Sequence, residues 1–161
     1  MITKGSVPGR RRLREAAFTM VFQGEFHKEQ TPEELFAHIW EECNGKTPIC
    51  DLYKEIAAGK GAGKEAAVAY MQSTFMGVFS HIDEIDEKIA EASVGWKKER
   101  LSKVILAILR LSIYEMLYTG DVPKSIAINE AVELTKRYED VRLSGFVNGV
   151  LGKISRGTTE I

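Results

Sequence analysis

Apolar residues recur along this chain at the three- and four-residue spacing of helices and nowhere sustain the alternation of a strand. Over residues 10–26 the positions Leu13, Ala17, Met20 and Val21, with Phe18, Phe22 and Phe26 on an adjoining stripe, predict a helix with a wide buried face. Arg10, Arg11 and Arg14 then lie near its exposed start. Thr31, Pro32 and Glu34 read as N-cap, first-turn proline and capping-box acid of a second helix, whose inward side is Leu35, Phe36, Ile39 and Trp40 and whose end falls by Asn44-Gly45. Helical spacing returns over residues 64–79 through Ala67, Met71, Phe75 and Val78. Ser80 with Asp83 makes a second capping-box signal ahead of Ile82, Ile85 and Ile89, and Gly95 is placed to close that helix.

Residues 101–118 are apolar almost all round, through Leu101, Val104, Ile105, Ile108, Leu109, Leu111, Ile113, Met116 and Leu117, which predicts a central helix covered by its neighbours. After Gly120, Asp121 and Pro123 a further helix runs to about Tyr138 and packs Ile126, Ile128, Val132 and Leu134. Ser144 is placed to cap a last one through Phe146, Val147, Val150, Leu151 and Ile154. The expectation is an all-α bundle of about seven helices joined by mostly short connections. Residues 45–63, with Pro48 and four glycines, break the pattern and read as an insertion: a loop around a short helix near residues 51–58. The 161 residues fit one domain, 1–161, with a flexible basic N-terminus (1–9), the Gly-rich insertion (about 45–63) and a short C-terminal tail (155–161).

Composition narrows the class. With 44% hydrophobic and 28% charged residues the chain lies away from the disordered corner, and a packed core is expected. Residues 104–113 are interrupted by Arg110 and fall short of the roughly 20 apolar residues that a membrane span needs. The basic start is followed by too short an apolar run for a signal peptide, so a cytoplasmic protein is expected. Cys43 and Cys50 lack CxxC spacing and are read as free thiols; His27, His38 and His81 complete no four-ligand zinc pattern, so neither metal nor cofactor is expected.

Catalytic signatures are absent too. The Gly59-Lys60-Gly61-Ala62-Gly63-Lys64 stretch lacks the first glycine of a phosphate loop, which Ala58 replaces, and carries Glu65 where Ser or Thr would hold magnesium; it reads as a linker. The paired carboxylates Glu33/Glu34, Glu41/Glu42, Asp83/Glu84 and Asp86/Glu87 are adjacent, hence about 100° apart on a helix, and read as solvated faces. Arg110, inside an apolar helix, needs an acid such as Glu115 or Glu130. For Asn129 and Asn148, cap or core hydrogen bonding and a functional role stand level.

What remains is charge asymmetry. The net charge is only -1, yet residues 1–14 hold five basic groups and no acid, while residues 29–42 and 83–91 are acidic. Arginines clustered on one helix turn neutralise phosphates, release counterions and stack on unpaired bases. Tyr138 and Phe146 are aromatic candidates for stacking, although aromatics at helical spacing are more often core.

Four ordered blocks are carried by these same helices: Arg10-Arg11-Arg12-Leu13-Arg14-Glu15-Ala16, Ile108-Leu109-Arg110-Leu111-Ser112-Ile113-Tyr114-Glu115-Met116, Val122-Pro123-Lys124-Ser125-Ile126-Ala127-Ile128-Asn129-Glu130-Ala131-Val132-Glu133-Leu134 and Gly145-Phe146-Val147-Asn148-Gly149-Val150-Leu151. Together they resemble the NusB antitermination family, well over residues 10–27 and 80–154 and poorly over 29–78. The resemblance implies two three-helix-bundle-like halves around a central helix. It also implies a non-enzymatic transcription factor that pairs with the ribosomal protein NusE, binds single-stranded boxA-type RNA of nascent ribosomal transcripts and joins the RNA polymerase antitermination complex. By the same resemblance Arg10, Arg11, Arg12, Arg14 and Phe146 are the RNA-binding residues and Phe22 a partner-binding one. Phe22 stands where many relatives carry tyrosine, Gly145 where lysine is common, and the insertion has no family counterpart. The competing expectation is a helical protein-interaction module or homodimer without direct RNA binding. Relatives of the fold fused to RNA methyltransferase domains need a cofactor-binding sheet for which residues up to Ile161 leave no room.

Overall fold

The computed structural model describes residues 9–41, 54–55, 58, 61–93 and 100–157. Among these it contains α1 (Arg10–Gly24), α2 (Pro32–Glu41), α3 (Gly61–Ser80), α4 (Ile82–Ala92), α5 (Lys103–Leu117), α6 (Lys124–Tyr138) and α7 (Ser144–Gly157), with a 3-10 turn, Val141–Leu143, ahead of the last. No strand interrupts the described residues, and the fold is all-α. The chain divides into two compact units, Met1–Gly77 and Val78–Ile161.

In the first unit α1 opens at Gly9, whose carbonyl accepts the N–H groups of Arg12 and Leu13 at 3.1 Å each. From Leu13 to Gly24 most of the helix is buried, including Ala16, Ala17, Phe18, Met20 and Val21. α2 starts as its sequence dictates: the Glu34 N–H donates to Thr31 Oγ1 at 3.1 Å, and Pro32 sits where a helix needs no N–H donor. It packs on α1, and Phe36 meets Phe75 of α3 with ring centroids 6.0 Å apart. α3 begins at Gly61, so part of the stretch expected to be a linker is helix. The alanines, Lys64 and Glu65 favour the helix enough to carry its two early glycines, each of which costs about 1 kcal/mol. Upstream, Ala58 donates its N–H to the Lys54 carbonyl at 2.9 Å, one helical turn inside the insertion. The rest of residues 42–60, Cys43 and Cys50 included, lies outside the described residues, as does Gly95.

The second unit is arranged around α5. From Ile105 to Met116 only Tyr114 escapes burial. α4, α6 and α7 pack on it, presenting Ile85 and Ile89, Ala127 and Ala131, and Val147, Val150 and Leu151. Ser102 caps α5: its Oγ accepts the Ile105 N–H at 3.1 Å while its hydroxyl donates to Glu139 Oε2 at 3.0 Å. The turn into α6 uses Gly120 at φ 71°, a left-handed conformation that a side chain would strain.

Several local expectations are corrected. Ser80 ends α3 and does not cap α4, whose N-cap is His81 without a side-chain bond. The two helices are separated by that single residue, and its ring stacks on Tyr118, centroids 4.2 Å apart. Tyr118 donates in turn to Glu84 Oε2 at 2.7 Å; burial first, and that carboxylate second, push its hydroxyl up to about 12. Ser144 is likewise no cap. Asp140 starts the 3-10 turn, accepting the Arg142 N–H at 2.9 Å, and the turn runs directly into α7. α7 continues to Gly157, three residues into the expected tail at 155. Ile126 is 46% exposed, because α6 turns its small residues Ala127 and Ala131 toward α5 and α7 and Ile126 lies off that stripe.

Arg110 is buried and held by an acid, as its position requires, and Asp86 on α4, which the sequence does not single out, grips its fork. Nε donates to Oδ1 at 2.9 Å and Nη2 to Oδ2 at 2.8 Å. The Arg110 side chain is 3% exposed. Removing one member of a buried pair strands the other charge, at about 3–5 kcal/mol. Asp86→Ala should therefore lower stability by about 3 kcal/mol in urea unfolding followed by circular dichroism. A loss below about 1 kcal/mol would mean that the pair does not hold α4 against α5.

Candidate nucleic-acid interface

The first turn of α1 gathers positive charge from two sources. Arg10, Arg11 and Arg12 are consecutive and exposed, with no acid beside them in that turn. The helix start adds its own partial positive charge and its outward N–H groups. Such a turn ordinarily favours acids, and cations placed there oppose the helix by about 0.3–1 kcal/mol each. The combination suits an anion.

Arg10 and Arg12 are positioned by neighbours within the first unit. Arg10 lies over the Tyr70 ring of α3, 4.0 Å from its centroid, and Arg12 Nη2 donates to Glu55 Oε2 at 2.8 Å. Arg14 departs from the expected exposure: it is only 7% exposed. Its helical neighbours at three, four and seven residues, Ala17, Phe18 and Val21, are all buried, and Arg14 falls on their stripe.

Phe22 is half-buried and meets Phe26 edge to face, centroids 5.1 Å apart at 71°. Phe26 was expected on the buried face but is 54% exposed. α1 ends at Gly24, so Phe26 leaves the helical stripe just beyond it. An apolar pair is thereby presented at the end of α1 opposite the arginines.

Phe146 belongs to the second unit. On α7 it is half-buried and lines an apolar slot of about 170 Å³ with Arg100, Leu101, Ser102, Ile105 and Leu143. Gly145 beside it is exposed, with nothing within 4 Å of where a side chain would begin. Just ahead, Arg142 grips Asp140: Nε and Nη2 donate to Oδ2 at 2.9 and 2.6 Å. Those hydrogen bonds hold the Asp140 carboxyl down to about 2 and raise the guanidinium in turn. Sequence reasoning missed both Arg100 and Arg142. The Asp-x-Arg spacing ahead of α7 was the available signal for the second. Asn129 and Asn148 are exposed on their helices, and Tyr138 is half-buried.

Comparison with known proteins gives the family. The sequence model described as the NusB family matches residues 11–156. A relative from Acetivibrio thermocellus, transcription antitermination protein NusB, is 40% identical over 146 residues, which span 91% of this chain and 88% of the relative. The solved T. maritima NusB superimposes with TM-score 0.68 at 30% identity, covering 93% of this chain and 92% of that one. A structure of antitermination factors NusB and NusE in complex with dsRNA gives TM-score 0.67 at 27% identity, over 92% of this chain and 96% of its counterpart.

The pair at Asp140 has a measurable consequence. A carboxyl held below its ordinary 3.8 contributes stability above that pH, which fades as pH falls toward about 2. In a carbon-13 NMR titration Asp140 should ionise near pH 2, and in Arg142→Ala it should return toward 3.8. Ionisation at the ordinary value in both proteins would show that the pair does not persist in solution.

Proposed function

The chain belongs to the NusB family, and on that premise we propose that it is a transcription antitermination factor that binds single-stranded boxA-type RNA of nascent ribosomal transcripts together with the ribosomal protein NusE. The observation that carries this reading is the run of exposed guanidiniums, Arg10 to Arg12, at the positive end of α1. Its work is binding, not catalysis, in the cytoplasm where transcripts emerge.

Each residue then has a task. Arg10, Arg11 and Arg12 neutralise backbone phosphates and release counterions, giving affinity without demanding sequence. Arg10, held over the Tyr70 ring, keeps its charge at the exposed turn for a phosphate. Arg14 acts indirectly, from the buried stripe beneath them. Phe146 supplies a base contact. Phe22, with Phe26 exposed against it, supplies the apolar contact for NusE. The complex so formed is the part that would engage RNA polymerase.

Exposed Phe26, Ile126 and Val141 give substance to the other reading, a protein-interaction module or homodimer without RNA contact. Fluorescence anisotropy with boxA-type RNA, with and without NusE and across salt concentrations, separates the two. The triple change Arg10→Ala, Arg11→Ala, Arg12→Ala should weaken binding and flatten the logarithmic salt slope by about 2, at roughly 0.7 per phosphate contact on a single strand. An unchanged slope would remove these residues from the interface. Arg14→Ala should instead register mainly as lost thermal stability.

A further inference from the structure

We propose that Tyr70 is a positioning residue for RNA binding, holding the Arg10 guanidinium in place without cancelling its charge; the inference rests on the RNA-binding reading above. The contact joins the first turn of α1 to the middle of α3, with the guanidinium carbon 4.0 Å from the centre of the tyrosine ring. Tyr70 is half-buried, and Ala67, Met71 and Thr74 beside it on the helix are buried. Its ring therefore stands at the edge of the buried face. A tyrosine side chain turns about only two torsions and is a stiff support. Arg10 is exposed, and without a support its rotamer freedom would have to be given up when a phosphate is bound.

Arg10 and Arg12 are held by opposite chemistry. Glu55 brings a negative charge, so it orders Arg12 and at the same time repels an incoming phosphate. The phenol ring brings no charge near neutral pH and attracts the cation through its quadrupole. Among the described residues no acid pairs with Arg10, and the first turn of α1 contains none. Its charge thus stands uncompensated at the positive end of the helix. A hold by an acid trades attraction for order, whereas a hold by a ring supplies order alone.

Anisotropy titrations of boxA-type RNA with the chain and NusE, at several salt concentrations, test the role. Tyr70→Leu, which removes the ring, should weaken binding about threefold, the size of an exposed contact between a cation and a ring. The salt slope should not change, because the same phosphates are met. Tyr70→Phe, which keeps the ring, should bind as the unaltered chain does. Arg10→Ala should flatten the slope by about 0.7, and in that background Tyr70→Leu should add nothing, since the two residues act through one contact. Tyr70→Gln serves in the same comparisons if the leucine variant fails to fold. An equal loss from Tyr70→Leu with and without Arg10 would make the tyrosine a packing residue only. Unchanged binding by Tyr70→Leu would leave the ring without a role, and tighter binding would mean that it withholds Arg10. Any of these three results overturns the inference while leaving the arginine-dependent reading intact. No RNA binding by the unaltered complex would remove that reading and this inference together.

Discussion

A helix that is apolar on every side has no face to give to water, and that constraint organises the second unit. Surface helices keep a polar stripe; α5 keeps almost none between Ile105 and Met116, so it must be enclosed, and α4, α6 and α7 do the enclosing. Ala127 and Ala131, one turn apart on α6, permit close approach, while the isoleucines of α4 fill another side. Arg110 is the one cation among the buried residues of α5, and it ties the packing to electrostatics. A guanidinium in that position demands a planar, two-pronged partner, and Asp86 fixes where along α4 that partner stands.

α1 contrasts with α2 and α4 of the same chain. α2 and α4 carry acids in their first turns, Glu33 with Glu34 and Asp83 with Glu84, as helix electrostatics favours. α1 carries arginines there instead, and has only Gly9 for a cap. α3, α5, α6 and α7 carry no acid in the first turn either, and what sets α1 apart is that it opens on three consecutive arginines. A local rule broken at three successive residues is where function is expected to reside, and the exposed turn leads into a helix that is mostly buried from Leu13 onward.

The helices were legible because their periodicity is long and strong, and the Thr31-Pro32-Glu34 start was legible because a cap is a local interaction. The misreadings share one cause: they depend on what faces a residue across space. Ser80 and Asp83 have capping-box spacing, yet the chain spends Ser80 on finishing α3 and turns at His81. Asp86, which grips Arg110 and went unnoticed in the sequence, lies 24 residues upstream, on a helix whose facing side no spacing rule gives. Ile126 looks like core by its chemistry and loses the place to alanines whose smallness is what the packing needs. At the candidate interface the basic block was plain in the sequence. The burial of Arg14 and the pairing of Arg142 with Asp140 were not, since both follow from the angle at which a helix or turn meets its surroundings.

The contacts that Arg10 and Arg12 already make bear on whether the basic turn is open to RNA. The Arg12 side chain is 51% exposed and that of Glu55 31%, and ion pairs at such exposure are worth about 0–1 kcal/mol. An exposed cation over an aromatic ring adds about 0.5–1 kcal/mol. Neither locks its guanidinium away. Transfer of Arg12 from one carboxylate to a phosphate keeps a charge-assisted bond of the same kind and adds the release of counterions from the nucleic acid. Arg10, exposed as well, gives up only a contact of that size if a phosphate draws it from Tyr70. Both contacts reduce the rotamer freedom that binding would otherwise have to remove, and so act as pre-organisation rather than sequestration.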